Sequence, residues 1–128
     1  MAFVLAPKTE GFFYGISIPV TTNGGASRSL DFEIKFKRFS RSKLKALSKV
    51  YDELNGLDDE IDPLERDVDY IFEIAEDWRG ILDSNKENIP FEREYVTTVI
   101  DEFPSSAGAI VKAFFEATLG GGAKAKNS

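Results

Sequence analysis

The chain contains no cysteine and no histidine, a single Trp and a single Met. Without cysteine there is no disulfide framework and no thiolate metal site, a composition that fits a reducing cytoplasm. Without histidine the commonest general base and metal ligand are missing, and so is any Ser-His or Cys-His nucleophile pair. No stretch approaches the roughly 20 consecutive apolar residues that span a bilayer. The opening "MAFVLAP" has a short apolar run before Pro7 and no basic leader, so it does not read as a signal peptide. A net charge of −6 lacks the positive field that a nucleic-acid binder needs.

What is present suits one folded domain. The 128 residues are 42% hydrophobic, with eleven Phe, enough to build a core without covalent staples. Charge is unevenly placed. Seven Lys or Arg and no acid lie between Lys35 and Lys49, whereas twelve acids and one base, Arg66, lie between Asp52 and Asp77. Two consecutive helices would set these signs side by side. They serve either as solvated faces that attract each other or as a bipolar surface for a partner or another copy.

Periodicity predicts an α+β fold, an N-terminal antiparallel β-hairpin packed on a mostly helical C-terminal part of about four helices. "GFFYGISIPVTT" alternates, placing Phe12, Tyr14, Ile16, Ile18 and Val20 on one face. Pro19 cannot donate a ladder hydrogen bond, so this strand is expected at a sheet edge or bulged. "TNGGASRS" is a turn, and "LDFEIKFK" directs Leu30, Phe32, Ile34 and Phe36 inward. Two strands alone are marginal in water, so their apolar face must pack on the helices.

The first helix follows a cap at Ser40 or Ser42, carries Leu44, Leu47, Val50, Tyr51 and Leu54, and ends at Asn55-Gly56. Asp62, Pro63 and Glu65 signal the start of the second. Its stripe runs through Leu64, Val68, Ile71, Phe72, Ala75 and Trp78, and Gly80 is expected to end it in a left-handed conformation. A third helix runs from about Phe91 to Phe103, before Pro104. Ser105 or Ser106 caps a fourth, with Ala107, Ile110, Val111, Phe114 and Phe115 inward. The expected organisation is one α+β domain over residues 1–120, with the hairpin about 11–38 and helices about 41–119. A flexible tail, 121–128, follows.

The segment "DWRGILDSNKENIPFERE", residues 77–94, invites two chemical readings. As an EF-hand loop, Asp83, Asn85, Glu87 and Glu94 fall at the first, third, fifth and twelfth positions. The sixth position, which wants Gly, holds Asn88, and the eighth holds Pro90, which has no N–H for the loop pairing. As a catalytic site, it offers carboxylates with no His, Cys or phosphate loop beside them, and no constellation emerges. The remaining reading is a structural joint: Trp78 buried, Gly80 reversing the chain, a polar turn, then Pro90 and Phe91 leading into the next helix. No cofactor, metal or catalytic residue is expected.

This segment, followed by "FPSSAGAIVKAFFEA" and a terminal "KN", resembles the tail assembly chaperones of long-tailed bacteriophages and prophages. The matching positions are Trp78, Gly80, Asp83, Ile89, Pro90, Phe91, Pro104, Ala109, Ile110 and Asn127. "LDFEIKFKRFSRSKLKAL" looks like the family's strand leading into its first helix, so the resemblance covers roughly residues 30–128. Two positions depart from the pattern. Glu92 stands where a small hydroxyl residue often caps the next helix, and Asn88 stands near the turn's usual Gly.

The resemblance implies a non-catalytic protein acting in the host cytoplasm during virion assembly and absent from the mature particle. Its implied partners are the tape measure protein, kept soluble, and the tail tube subunits that polymerise around it. The alternative is a structural tail or head-tail component that self-associates and stays in the virion. A tape measure protein is a long helical chain with apolar stripes, and an apolar groove could cover them. Phe12, Phe13, Tyr14, Tyr70, Phe114 and Phe115 are the aromatics expected to do so, against the alternative that they are core. The family also implies a longer, frameshifted product. Ala125, Lys126 and Asn127 are compatible with codons GCA AAA AAC, which contain the slippery heptamer A AAA AAC.

Overall fold

The computed structural model describes residues 10–25, 27–55 and 63–119. The expected caps at Gly56 and Asp62 and the expected tail at 121–128 lie outside the described residues.

Strand β1 spans Phe12–Thr21 and β2 spans Ser27–Phe36, joined through a short 3-10 turn at Asn23–Gly25. They pair antiparallel in unbroken register from Phe12↔Phe36 to Thr21↔Ser27. Gly24 and Gly25 both take positive φ, which reverses the chain within a few residues. Alternation does what the sequence pattern predicts: Ile16, Ile18, Phe32, Ile34 and Phe36 are buried, while Ser17, Pro19 and Asp31 face water. A third strand, β3 (Ala75–Arg79), extends the order to β1-β2-β3, so among the described residues β1 with its Pro19 is an edge strand.

Helix α1 spans Arg41–Asn55 and α2 spans Pro63–Ile74. The Ser40 hydroxyl accepts the Lys43 N–H at 3.2 Å, capping α1. The hydroxyl of Tyr70 on α2 donates to the Leu47 carbonyl on α1 at 2.7 Å, and the rings of Tyr51 and Tyr70 lie 5.0 Å apart. Among the described residues the opposed charge blocks meet as Lys43–Glu73 at 3.6 Å. Glu65 and Asp69 instead turn to Arg93, at 2.5 and 2.7 Å.

The second helix is shorter than its apolar stripe suggests. It ends at Ile74, and Ala75–Arg79 forms β3, antiparallel to β2. Gly80 does take a left-handed φ of 90°, but it closes a strand and not a helix. An added Cβ there would also come within 3.4 Å of Phe32 Cα.

Helices α3, Arg93–Glu102, and α4, Ser106–Thr118, complete the chain. Glu92 precedes α3 without a side-chain cap, and its carbonyl accepts the N–H groups of Tyr95 and Val96 at 3.0 and 2.9 Å. Ser105 occupies the N-cap of α4 without a side-chain bond, contrary to the expected cap; Ser106 is fully buried, its hydroxyl 3.5 Å from the Val99 carbonyl. The core lies between the inner sheet face and the helices. Phe36 and Phe114, both 0% exposed, meet at its centre with ring centroids 5.2 Å apart.

Candidate protein-binding surface

The six aromatics singled out by sequence separate into three environments. Phe114 and Tyr70 are core residues, 0% and 5% exposed. Burial pushes the Tyr70 phenol up to about 12, with Tyr51, Asp52 and Glu73 adding to the shift. Phe12, Tyr14 and Phe115 are half-buried at the core's margin. Phe12 and Tyr14 lie 6.0 and 6.4 Å from the Phe36 ring, and Phe115 lies 5.0 Å from that of Phe114. The Arg38 guanidinium covers Phe12 at 4.8 Å.

Phe13 sits alone on the opposite, water-facing side of the sheet. The register of three strands decides its neighbours. Glu33 pairs with Gly15 on β1 and with Arg79 on β3, which brings Arg79 across β2 towards Phe13. The Arg79 guanidinium lies 3.8 Å from the Phe13 ring centroid, a cation–π contact, and Lys35 Nζ lies 5.8 Å from it. Arg79 also donates to both carboxylate oxygens of Glu33, at 2.8 and 3.3 Å. That hydrogen bond holds the Glu33 carboxyl below the usual carboxylate range, burial opposing it. Sequence reasoning could not have joined Arg79 to Phe13, because the connection runs through β3.

Gly15 leaves a flat place beside Phe13: nothing lies within 4 Å of where its Cβ would stand. Around the β1 edge, Tyr14, Gly15, Ile16 and Ser17 face Ala109, Lys112, Ala113 and Glu116 of α4 across an open groove of about 550 Å³. A second groove, of about 450 Å³, runs between α1 and α2 and includes Leu47, Val50, Tyr70 and Glu73. Val50 is 44% exposed there, so this apolar helix position looks into water and not into the core.

The residues 77–94 segment is a joint between β3 and α3. Trp78 is 5% exposed and packs edge-on against Phe32 and Phe91, at 6.4 and 5.3 Å. Phe91 in turn packs against Phe72, ring centroids 4.7 Å apart and planes tilted by 43°. The chain between them folds as a small hairpin, with Leu82 bridged to Asn88 and the Ile89 N–H donating to the Ile81 carbonyl at 2.8 Å. One Asp83 carboxylate oxygen accepts the N–H groups of Asn85 and Glu87, at 2.8 and 3.1 Å. That carboxylate organises the turn, which is the usual work of Asp in such a position. Pro90 is exposed and follows the hairpin. Among the described residues no group of three His, Cys, Asp or Glu is placed to hold a metal ion. Nor, among them, is any helix long and apolar enough to cross a membrane.

The arrangement offers contact chemistry: half-buried aromatics, an open strand edge and charged rims. The sequence model of a family described as phage tail assembly chaperone matches residues 1–127 of the chain. No curated protein and no solved structure matches it.

Proposed function

Because the chain belongs to the phage tail assembly chaperone family, we propose that it binds the tape measure protein and keeps it soluble during tail assembly. It acts without catalysis and departs before the virion is complete. The observation that carries this reading is the family match over nearly the whole chain. The surface is consistent with it. Phe12, Tyr14 and Phe115 form an apolar margin that is only half covered by the fold, and Phe13 adds a fourth aromatic on the other side of the same strand. Half-buried aromatics supply large contact area with little side-chain entropy to lose.

Under the same reading a longer product is made by frameshifting at the codons of Ala125, Lys126 and Asn127. The gene tests that directly: codons at Ala125, Lys126 and Asn127 without A AAA AAC, or no overlapping downstream frame, remove the longer product.

The experiment for the function is co-expression with the product of a very long, helix-rich downstream gene. The expected result is a soluble complex that co-purifies, with the long protein insoluble when expressed alone. Mass spectrometry of purified virions is expected to find no copy of the chain. Its presence in stoichiometric amount would instead identify a structural tail component.

A further inference from the structure

We propose that the free edge of β1, in the groove it shares with α4, takes an extended polypeptide segment of another protein as an added strand. The inference rests on the chaperone reading in taking a polypeptide as ligand. It adds the conformation of the bound segment and the place where it lies.

Backbone alternation identifies the free groups. Along a strand, successive residues point their N–H and C=O to opposite sides. The Lys37 N–H donates to the Ile74 carbonyl at 2.9 Å, towards β3. The extra residue of the β2–β3 irregularity, Glu76, lies on β3, so β2 alternates without interruption. Its odd-numbered residues therefore bond β3 and its even-numbered ones bond β1. Ile34 pairs with Tyr14 and Phe32 with Ile16, which leaves the N–H and C=O of Phe13, Gly15 and Ser17 directed outward from the sheet. No described residue bonds them there. Pro19, next in this row, has no N–H and ends the continuous series of donors.

Such a row is complementary to another extended backbone. A helix has already used its own backbone groups and cannot satisfy it. The surroundings leave room. Gly15 puts no side chain in the way, and Ala109 and Ala113 keep the α4 wall low. The rim carries both signs. Lys112 and Glu116 make no ion pair among the described residues, and Lys preceding Glu by four is the weaker order for pairing within a helix. Four helical residues advance about 6 Å. Two residues of a strand advance about 6.7 Å and return a side chain to the same face. A strand with an acid and a base two residues apart, both facing α4, matches the rim.

The test selects displayed random nine-residue peptides against the full chain, and the enriched peptide is then synthesised. Enriched sequences are expected to alternate in hydropathy and to carry an acid and a base two residues apart. Binding is expected to slow amide exchange at Phe13, Gly15 and Ser17. N-methylation of the peptide amides that face the edge should weaken binding by roughly tenfold or more, the loss of one or two hydrogen bonds. Methylation in the alternate register should leave affinity within about twofold, since those amides make no ladder bond. A K112E/E116K chain is expected to prefer the peptide with its two charges exchanged. Enrichment of helical i, i+3, i+4 patterns overturns the proposal, as do no enrichment, protection elsewhere, or equal loss in both registers. Slow edge exchange in the unliganded chain overturns it too, by showing that a second copy or the chain's own N-terminal residues hold the edge. Co-purification with the long tail protein is scored separately. If it persists while the peptide results fail, the chaperone reading stands without the added strand; if it fails while they succeed, the reverse holds.

Discussion

The indole N–H of Trp78 donates to the Ile89 carbonyl at 2.7 Å, tying β3 to the strap that leads into α3. Both ends of the strap are thereby fixed, because Ile89 also donates its own N–H to the Ile81 carbonyl. Trp78→Phe keeps an aromatic between Phe32 and Phe91 but removes the donor and some buried volume. The expected loss is about 2 kcal/mol, combining an unsatisfied carbonyl with a small cavity. Urea unfolding followed by circular dichroism should show a lower midpoint at unchanged slope. A loss below about 0.5 kcal/mol, the level of ordinary surface substitutions, would mean that the bond does not hold the strap.

The same Trp explains where the sequence was legible and where it misled. The hairpin could be read because its alternation is regular and each strand buries one face. The helices α1, α3 and α4 could be read from their stripes and from Ser40 and Pro104. Strand β3 could not. Ala75 and Trp78 are three residues apart, a helical spacing, and in a regular strand they would face opposite sides. The irregularity at Lys35/Phe36 leaves Glu76 as an extra residue, so Ala75 pairs with Phe36 and Trp78 with Ile34. Both then face the core, and a bulged strand imitates a helical stripe. Pairing with β2 outweighed local preference, and that pairing is non-local. The surface around Phe13 was hidden for the same reason, since Arg79 reaches it only from β3.

Lys86 takes φ 62°, the only positive φ among the described residues other than glycine. A left-handed conformation costs a side-chain-bearing residue about 1–2 kcal/mol, partly offset by the greater freedom a glycine loses on folding. Lys86→Gly is therefore expected to stabilise the chain by about 0.5–1 kcal/mol. Asp83→Ala should destabilise it by about 1–2 kcal/mol, because two turn N–H groups lose their acceptor. Calcium is expected to leave the unfolding midpoint unchanged. A bound ion at about 100 times its Kd would instead add about 2.7 kcal/mol.

The Tyr70 phenol is pushed up to about 12 by burial, and its O–H is committed to the Leu47 carbonyl. In the unfolded chain the group ionises near its ordinary value of about 10. The unfolded state therefore releases the proton first. Stability contributed by this group is fully present below pH of about 10 and is lost as pH rises through the folded value of about 12. Tyr70→Phe should cost about 1 kcal/mol at neutral pH, the net value of one hydrogen bond. It should also flatten the alkaline limb of the stability curve. An unchanged alkaline limb in the variant would assign that loss of stability to other groups.

The cluster of Phe13, Arg79 and Glu33 makes a prediction about surface as distinct from core. The Arg79 hydrogen bond depresses the Glu33 carboxyl, so the pair's contribution is present above the unfolded carboxylate value and is lost as pH falls through the folded one. Carbon-detected NMR titration should place the Glu33 midpoint below the ordinary range, and Arg79→Ala should raise it. High salt should shrink the difference, because the pair is exposed. Phe13→Ala should then cost no more than about 1 kcal/mol, the scale of one exposed cation–π contact. Phe114→Ala, at the centre of the core, should cost about 3–5 kcal/mol. If Phe13 belongs to the binding surface, Phe13→Ala will reduce co-purification with the tail partner while leaving the unfolding midpoint nearly in place. Equal stability losses at the two positions would assign Phe13 to the core, and unchanged co-purification would remove it from the binding surface.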